Sequence, residues 1–369
     1  MRNKIEILLF LIFIIFFGLG YVFFEQREFS EMENRYLTTR PEFTWKSFIE
    51  GDYTEEFEAY TADQIIGKDA FVQSNVAVNR MLGVSEINQV YIGKEGYLIQ
   101  DYQEPGNILD ENLAYLRAFA NENPEVEMTF LVIPNVNEIY PEYLPQFAET
   151  YPQSDVIDEV QSALIPEMTV IDGTKALQAH KDEELYYKTD HHWTSLGAYY
   201  VYESFCHALS MEATPLEEFE HLQVKEEFYG SLYSKVPMAG QESDVVDIYM
   251  NPNGVYTVTN VTEQKQMNSL LDMSYAVRKD KYSVFFGGNY PLLVIESNSS
   301  NEEKVLIIKD SYANCMMPML VDHYSEVHMM DLRYYHEDVV TYLQEQEITN
   351  VIFIHNIDYI STDNNFLWL

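Results

Sequence analysis

The chemistry-bearing residues of this 369-residue chain concentrate in two short segments. The first is Thr189-Asp190-His191-His192-Trp193-Thr194. A carboxylate that holds an imidazole in one tautomer makes it a general base, so Asp190 and His192 suit the roles of orienter and base. The competing reading is a helix cap, from Thr189 or Asp190, beside two ordinary imidazoles. The second segment is Val305-Leu306-Ile307-Ile308-Lys309-Asp310-Ser311-Tyr312-Ala313-Asn314. Its apolar half reads as a buried strand running into Ser311 and then a helix, which is where an α/β protein exposes a nucleophile. Amides at the start of that helix add donors and a dipole for an oxyanion. A serine there is also an ordinary cap. The segments gain weight together, because one supplies a nucleophile and the other its base.

Further candidates are weaker. Gly288 and Asn289, in Gly287-Gly288-Asn289, offer close backbone approach and a side-chain amide as oxyanion donors, or form a plain turn. Asn135 follows the apolar run Met128 to Ile133 and faces the same sheet edge, or caps a loop. Tyr312 adjoins the serine, and Arg333 is one of few basic residues, suited to substrate or to a structural ion pair. Asp190, His191 and His192 with His323 or His328 have metal-ligand chemistry. No His-x-x-x-His or Glu-x-x-His spacing accompanies them, so neither metal nor cofactor is expected. Cys206 and Cys315, the only cysteines, are too few for a disulfide framework; a single bridge between them stays open. Asn260 and Asn298 lie in glycosylation-type sequons.

Elements that could position these residues alternate in type. Helical spacing over Asn107 to Ala120, Asp155 to Leu164 and Thr194 to Leu209 is interleaved with apolar runs Met128 to Ile133 and Met168 to Ile171. Val305 to Ile308, Val327 to Met330 and Val351 to Ile354 repeat the pattern, with helical segments around Ala313 to His323 and Asp338 to Gln346. Strands buried on both faces and separated by helices predict an α/β fold with a largely parallel sheet covered on both sides. Between the halves, residues 213–300 carry β-type runs such as Val255 to Val261 and Tyr282 to Phe286, read as an insertion. Val90 to Gln100 has a hairpin signature around Gly93 and Gly96.

Ile7 to Phe24 is an uncharged apolar run of 18 residues behind Arg2 and Lys4. Its length suits a membrane span with a cytoplasmic N-terminus. It exceeds the apolar core of a cleavable signal and lacks an Ala-x-Ala-like site, so an uncleaved anchor is expected. The domain reading is therefore an anchor at 1–24, a stalk and capping segment at 25–70, and the main domain at 71–369. A formal charge of −38, from 60 acidic against 22 basic residues, repels phosphate backbones and excludes nucleic acid as a partner. The 29 tyrosines suit a sugar-binding groove, although packing explains most of them as well.

At these residues the sequence resembles the DHHW family of bacterial surface proteins, which is similar to the periplasmic acetyltransferases of alginate O-acetylation. The resemblance rests on Phe29-Ser30-Glu31-Met32-Glu33-Asn34-Arg35, Val90-Tyr91-Ile92-Gly93, Asp190-His191-His192-Trp193, Tyr229-Gly230, Gly287-Gly288-Asn289 and Lys309-Asp310-Ser311-Tyr312. It implies an SGNH-hydrolase-like three-layer α/β/α fold and a triad of Ser311, His192 and Asp190. Lys309 stands where the alginate proteins have glycine. The activity implied is O-acyl transfer, probable substrate groups being acetyl, to a cell-surface or secreted polysaccharide through an acyl-serine. A multipass membrane O-acyltransferase is the implied donor partner, with the domain outside the cell. A carbohydrate esterase with the same triad and a non-catalytic subunit of a polysaccharide assembly complex are the alternatives.

Overall fold

The computed structural model describes residues 2–369, in two compact units. The smaller comprises Met1–Asn88 and Tyr233–Gln241; the larger comprises Gln89–Leu232 and Glu242–Leu369.

The smaller unit is helical. Its first helix, α1 (Arg2–Phe23), includes a window, Lys4–Tyr21, with a mean hydropathy of 2.2, long and apolar enough to cross a membrane. Three shorter helices follow: α2 (Trp45–Glu50), α3 (Asp52–Gln64) and α4 (Lys68–Met81). Gly51, at φ +97, turns the chain between α2 and α3, a left-handed geometry that favours glycine. Asp63 anchors the unit. Its carboxylate accepts from Arg35, Lys68 and the Thr38 amide, and these bonds hold it well below the usual carboxylate range against the opposing effect of burial.

The larger unit opens with an antiparallel hairpin, β1 (Val90–Ile92) and β2 (Leu98–Gln100), as the glycine spacing predicts. The alternating region then gives α5 (Asn107–Glu122), β3 (Glu127–Ile133), α6 (Gln153–Leu164), β4 (Thr169–Asp172) and α7 (Ser195–Ala208). The 213–300 segment divides. β5 (Glu220–Phe228) and β6 (Asp244–Met250) form a separate ribbon, whereas β7 (Tyr256–Asn260), β8 (Lys265–Met267) and β9 (Leu292–Ser297) continue the main sheet. β10 (Lys304–Lys309), β11 (Glu326–Met330), α8 (Val339–Gln346) and β12 (Asn350–Asn356) complete it. The strand order is β8-β7-β9-β11-β10-β12-β3-β4. The pairs from β11 through to β4 are parallel, and β9, β7 and β8 attach antiparallel.

Both sheet faces are dry, and the strand sequence explains why. On β10, Val305 and Ile307 point into one apolar cluster with α7, while Leu306 and Ile308 point into another with α5, α6 and α8. The mixed α/β architecture with a mostly parallel sheet is thus the one expected. Two local readings change. Tyr282 to Phe286, read as a strand, is a 3-10 turn at Tyr282–Val284 with only a bridge from Phe285 to Leu271. The helix after Trp193 is capped by Thr194, whose Oγ1 accepts from the Gly197 amide, and not by Thr189 or Asp190.

Candidate active site

Three side chains form a relay at the carboxyl end of the sheet. Ser311 follows β10 as the first residue of a 3-10 turn, Ser311–Cys315, and Asp310 caps that turn by accepting from the Tyr312 amide at 2.8 Å. His192 Nε2 lies 2.8 Å from Ser311 Oγ, and His192 Nδ1 lies 2.6 Å from Asp190 Oδ1. Because an ionised carboxylate only accepts, Nδ1 carries the proton and Nε2 is left free to accept from the serine hydroxyl. Burial would raise the Asp190 pKa, but the neighbouring imidazoles of His191 and His192 and the Ser231 amide outweigh it and hold the carboxyl well below the usual range. Asp190 therefore stays charged wherever the imidazole works as a base.

The two motifs are clasped to each other beyond the relay. The Trp193 indole, fully buried, donates to the Tyr312 carbonyl at 2.8 Å. In return the Tyr312 hydroxyl donates to the His191 carbonyl, with Asn135 Oδ1 3.3 Å away. Tyr282 lies flat on His192, ring centres 3.9 Å apart and planes at 11°, and donates to the Ser311 carbonyl at 3.0 Å. Behind Asp190, the Asp244 carboxylate accepts from the amides of Lys188 and Thr189 and from the Thr189 hydroxyl. Burial pushes the Asp244 pKa up to about 6 in spite of those bonds.

The remaining sequence candidates separate. Asn289 Oδ1 receives Lys309 Nζ at 2.7 Å and Asn314 Nδ2 at 3.1 Å. An ammonium offers only protons, so the Asn289 oxygen must face it and the Nδ2 protons point the other way, without a partner among the described residues. The Asn135 amide donates to Gln153, and its side chain meets Tyr312. The Gly288 amide is already used, donating to the Phe285 carbonyl at 3.2 Å. Tyr312 is buried as a clasp, and Arg333 pairs with Asp331 through two bonds of 2.9 and 2.6 Å. Those contacts make Arg333 part of an internal ion pair, because the Nε and Nη2 edge of its guanidinium is spent on one carboxylate. His323 and His328 are engaged by Tyr202 and by Glu326 with Tyr342, so neither joins Asp190. Asp190, His191 and His192 do present potential ligand atoms within 4.8 Å of one another. Both His192 nitrogens are nevertheless committed to Asp190 and Ser311, so a cation there would have to break the relay.

Sequence reasoning missed Tyr282, Asp244 and Gly230, against whose Cα the Asp190 side chain packs. Only Tyr229-Gly230 left a signal, as part of the family resemblance.

The DHHW protein family model matches residues 165–330. The matched region contains the whole relay. A DHHW family protein from Eubacterium siraeum superposes with a TM-score of 0.66 at 25% identity, covering 75% of this chain and 92% of that one. Bacillus cereus PatB1 superposes at 0.63 and 21% identity, covering 73% and 97%, and a second PatB1 structure carries a sulfonyl adduct. The O-acetyltransferase domain of Pseudomonas putida AlgJ is more distant, at 0.48 and 14%, covering 74% and 93%. A search of curated proteins returns no match. The chain thus shares the DHHW fold and carries the motif that gives the family its name, Asp190-His191-His192-Trp193.

Proposed function

We propose that this chain is a membrane-anchored, extracytoplasmic O-acyltransferase that modifies a cell-surface or secreted polysaccharide through an acyl-serine at Ser311. The supporting observation is the Asp190–His192–Ser311 relay, with contacts of 2.6 and 2.8 Å. In the first half-reaction Ser311 Oγ bonds to the donor's acyl carbon while its proton passes to His192 Nε2. The tetrahedral adduct collapses, and His192 returns the proton to the departing group. In the second, a sugar hydroxyl gives its proton to His192 as its oxygen attacks the acyl-serine, and Ser311 leaves by recovering that proton. Asp190 keeps the imidazole oriented and balances its charge in both halves. Asn289, whose Nδ2 protons turn away from Lys309, is the side-chain candidate for an oxyanion donor. A multipass membrane acyltransferase would deliver the acyl group, with α1 keeping this domain beside it.

The test uses the full chain in detergent with an aryl acetate and neutral oligosaccharides. Mass spectrometry should find acetyl on the Ser311 peptide and acetyl ester on the sugar, both lost in Ser311→Ala. Free acetate without acetylated sugar would turn the reading into an esterase. Absence of any serine ester in the wild type, with undiminished sugar acetylation by Ser311→Ala or none at all, would overturn it.

A further inference from the structure

The smaller unit carries an unbroken run of aromatic contacts that begins on the membrane helix and ends in exposed rings. Tyr21, at the end of the apolar window of α1, lies 6.0 Å from Tyr60 between ring centres and donates to the Thr61 carbonyl at 2.6 Å. From Tyr60 the run passes to Phe57 at 5.9 Å, Tyr53 at 5.8 Å, Phe43 at 5.1 Å and Trp45 at 5.3 Å. Interior rings would be covered, yet Trp45 is 72% exposed and the adjacent Ile49 80%. Among the described residues nothing else in the unit covers this face.

Depth follows from length. α1 spans 22 residues, or about 33 Å at ~1.5 Å per residue, against a hydrocarbon core of about 30 Å. Almost the whole helix is consumed in crossing, so Phe17, four residues before Tyr21, lies roughly 6 Å inside the apolar window's outer end. Phe71 on α4 touches Phe17 at 6.0 Å between ring centres, and its own ring is half exposed. Gly20 packs on Ile66, two residues before α4, so closely that an added methyl would lie 2.9 Å from Ile66 Cγ1, which brings the start of α4 against α1 at that depth. Phe71 must then share the bilayer with Phe17.

We infer that α2, α3 and α4 form a collar seated in the outer membrane interface, with Trp45, Phe48, Ile49, Phe57 and Phe71 inserted at the boundary of headgroups and acyl chains. The occupant of this apolar face is lipid. Trp and Tyr favour that boundary, and helices with one apolar face lie along it. On α3, Tyr53, Phe57 and Tyr60 recur at helical spacing; the exposed Asp52, Glu55 and Glu58 fall outside that row and Glu56 lies at its edge, all free to stay in water. Those carboxylates and the formal charge of −38 rule out attraction to anionic headgroups, so insertion rests on the rings alone. The inference depends on α1 as an anchor, not on the acyl-transfer chemistry.

The test places the full-length chain in phosphatidylcholine nanodiscs, with and without bromine on the upper acyl chain. Brominated lipid should quench a tryptophan component that aqueous iodide does not reach, and Trp45→Phe should remove that component while circular dichroism stays unchanged. Adding anionic lipid or salt should leave the quenching as it was. A Trp45 component quenched by iodide and not by bromine, in a chain still held by the disc, would overturn the collar and open this face to a protein partner. Release of the chain from the discs would overturn the anchor and the collar together, whereas loss of acyl transfer alone would leave both standing.

Discussion

Gly230→Ala is the most discriminating single change, because it moves the triad acid without replacing any group that does chemistry. Gly230 lies beyond β5, where its amide donates to Thr189 Oγ1 at 3.0 Å and the next amide, from Ser231, donates to Asp190 Oδ2 at 2.7 Å. Its φ is not among the positive values, so alanine suits the backbone and only space is at issue. A methyl there would lie 2.6 Å from Asp190 Cγ, and closer still to its Cβ and Oδ2. Ordinary carbon contact begins near ~3.5 Å, so one side must withdraw by at least about 0.9 Å. Asp190 cannot yield cheaply, since its oxygens also hold the His192 amide at 3.0 Å and the ring at 2.6 Å. A misplacement of about 1 Å in a catalytic array costs on the order of 100-fold in rate, or about 2.7 kcal/mol of transition-state stabilisation. Overpacking should also remove roughly 1–3 kcal/mol of stability. The assay is single-turnover acylation by p-nitrophenyl acetate, with the folded fraction measured by near-UV circular dichroism. The expected result is a rate per folded molecule lower by about two orders of magnitude, with the donor's apparent affinity nearly unchanged. Acylation within about threefold of wild type in a folded Gly230→Ala protein, a difference of only ~0.7 kcal/mol, would refute the reasoning.

Lys309 gives a pH signature. Burial lowers its pKa from 10.5 to about 8 although Asp331 opposes the shift. Between those values the unfolded chain holds a proton that the folded chain has shed, so stability rises with pH across that window and the cost of the buried charge is fully present below it. The cost is on the order of 3 kcal/mol at ~1.4 kcal/mol per unit. Urea titrations from pH 7.5 to 10 should therefore show a rising stability that flattens in Lys309→Met, and the variant should also lose acylation rate as Asn289 loses its anchor; parallel pH profiles would count against the buried charge. Trp193→Phe removes the bond to the Tyr312 carbonyl and leaves a void in a fully buried site. Differential scanning calorimetry should register a loss of about 2–3 kcal/mol, and an unchanged Tm would contradict the clasp. Cys206 and Cys315 are both free and buried, and burial raises each thiol to about 12. Dithiothreitol should leave Tm unchanged and Ellman's reagent should react only on unfolding; an intact mass two hydrogens short would contradict this.

Much of this arrangement was legible because its signals are local. β10 is apolar at every position from Val305 to Ile308, a pattern only a strand covered on both faces tolerates, and its end placed Ser311 at the sheet's carboxyl edge. Asp190 and His192 were legible because their own spacing brings the carboxylate to the ring. Tyr282 was not: Tyr-Ser-Val-Phe-Phe consists almost wholly of strand-favouring residues, yet it forms a 3-10 turn whose first ring stacks on His192, a contact 90 positions away that local sequence does not reveal. Asp244 was illegible for the same reason, as its partners at 188 and 189 lie in the bend before α7, far away in sequence. Lys309, in the position where the resembled family has glycine, gave no sign of its role. It is the last residue of β10, and its ammonium is spent on the carboxamides of Asn289 and Asn314.

The cross-motif bonds explain why residues with no part in proton transfer belong to the same two segments. Ser311 and His192 are 119 positions apart, and a single hydroxyl–imidazole hydrogen bond contributes on the order of 1 kcal/mol, too little to hold two loops in register. Trp193 reaches across to the Tyr312 carbonyl, Tyr312 reaches back to the His191 carbonyl, and Tyr282 bonds the Ser311 carbonyl while covering His192. Each of these bonds starts or ends within one residue of the relay, so Ser311 and His192 cannot separate without breaking several buried contacts at once. The three side chains are therefore positioned before any substrate arrives, which is the condition under which a general base contributes most to a rate.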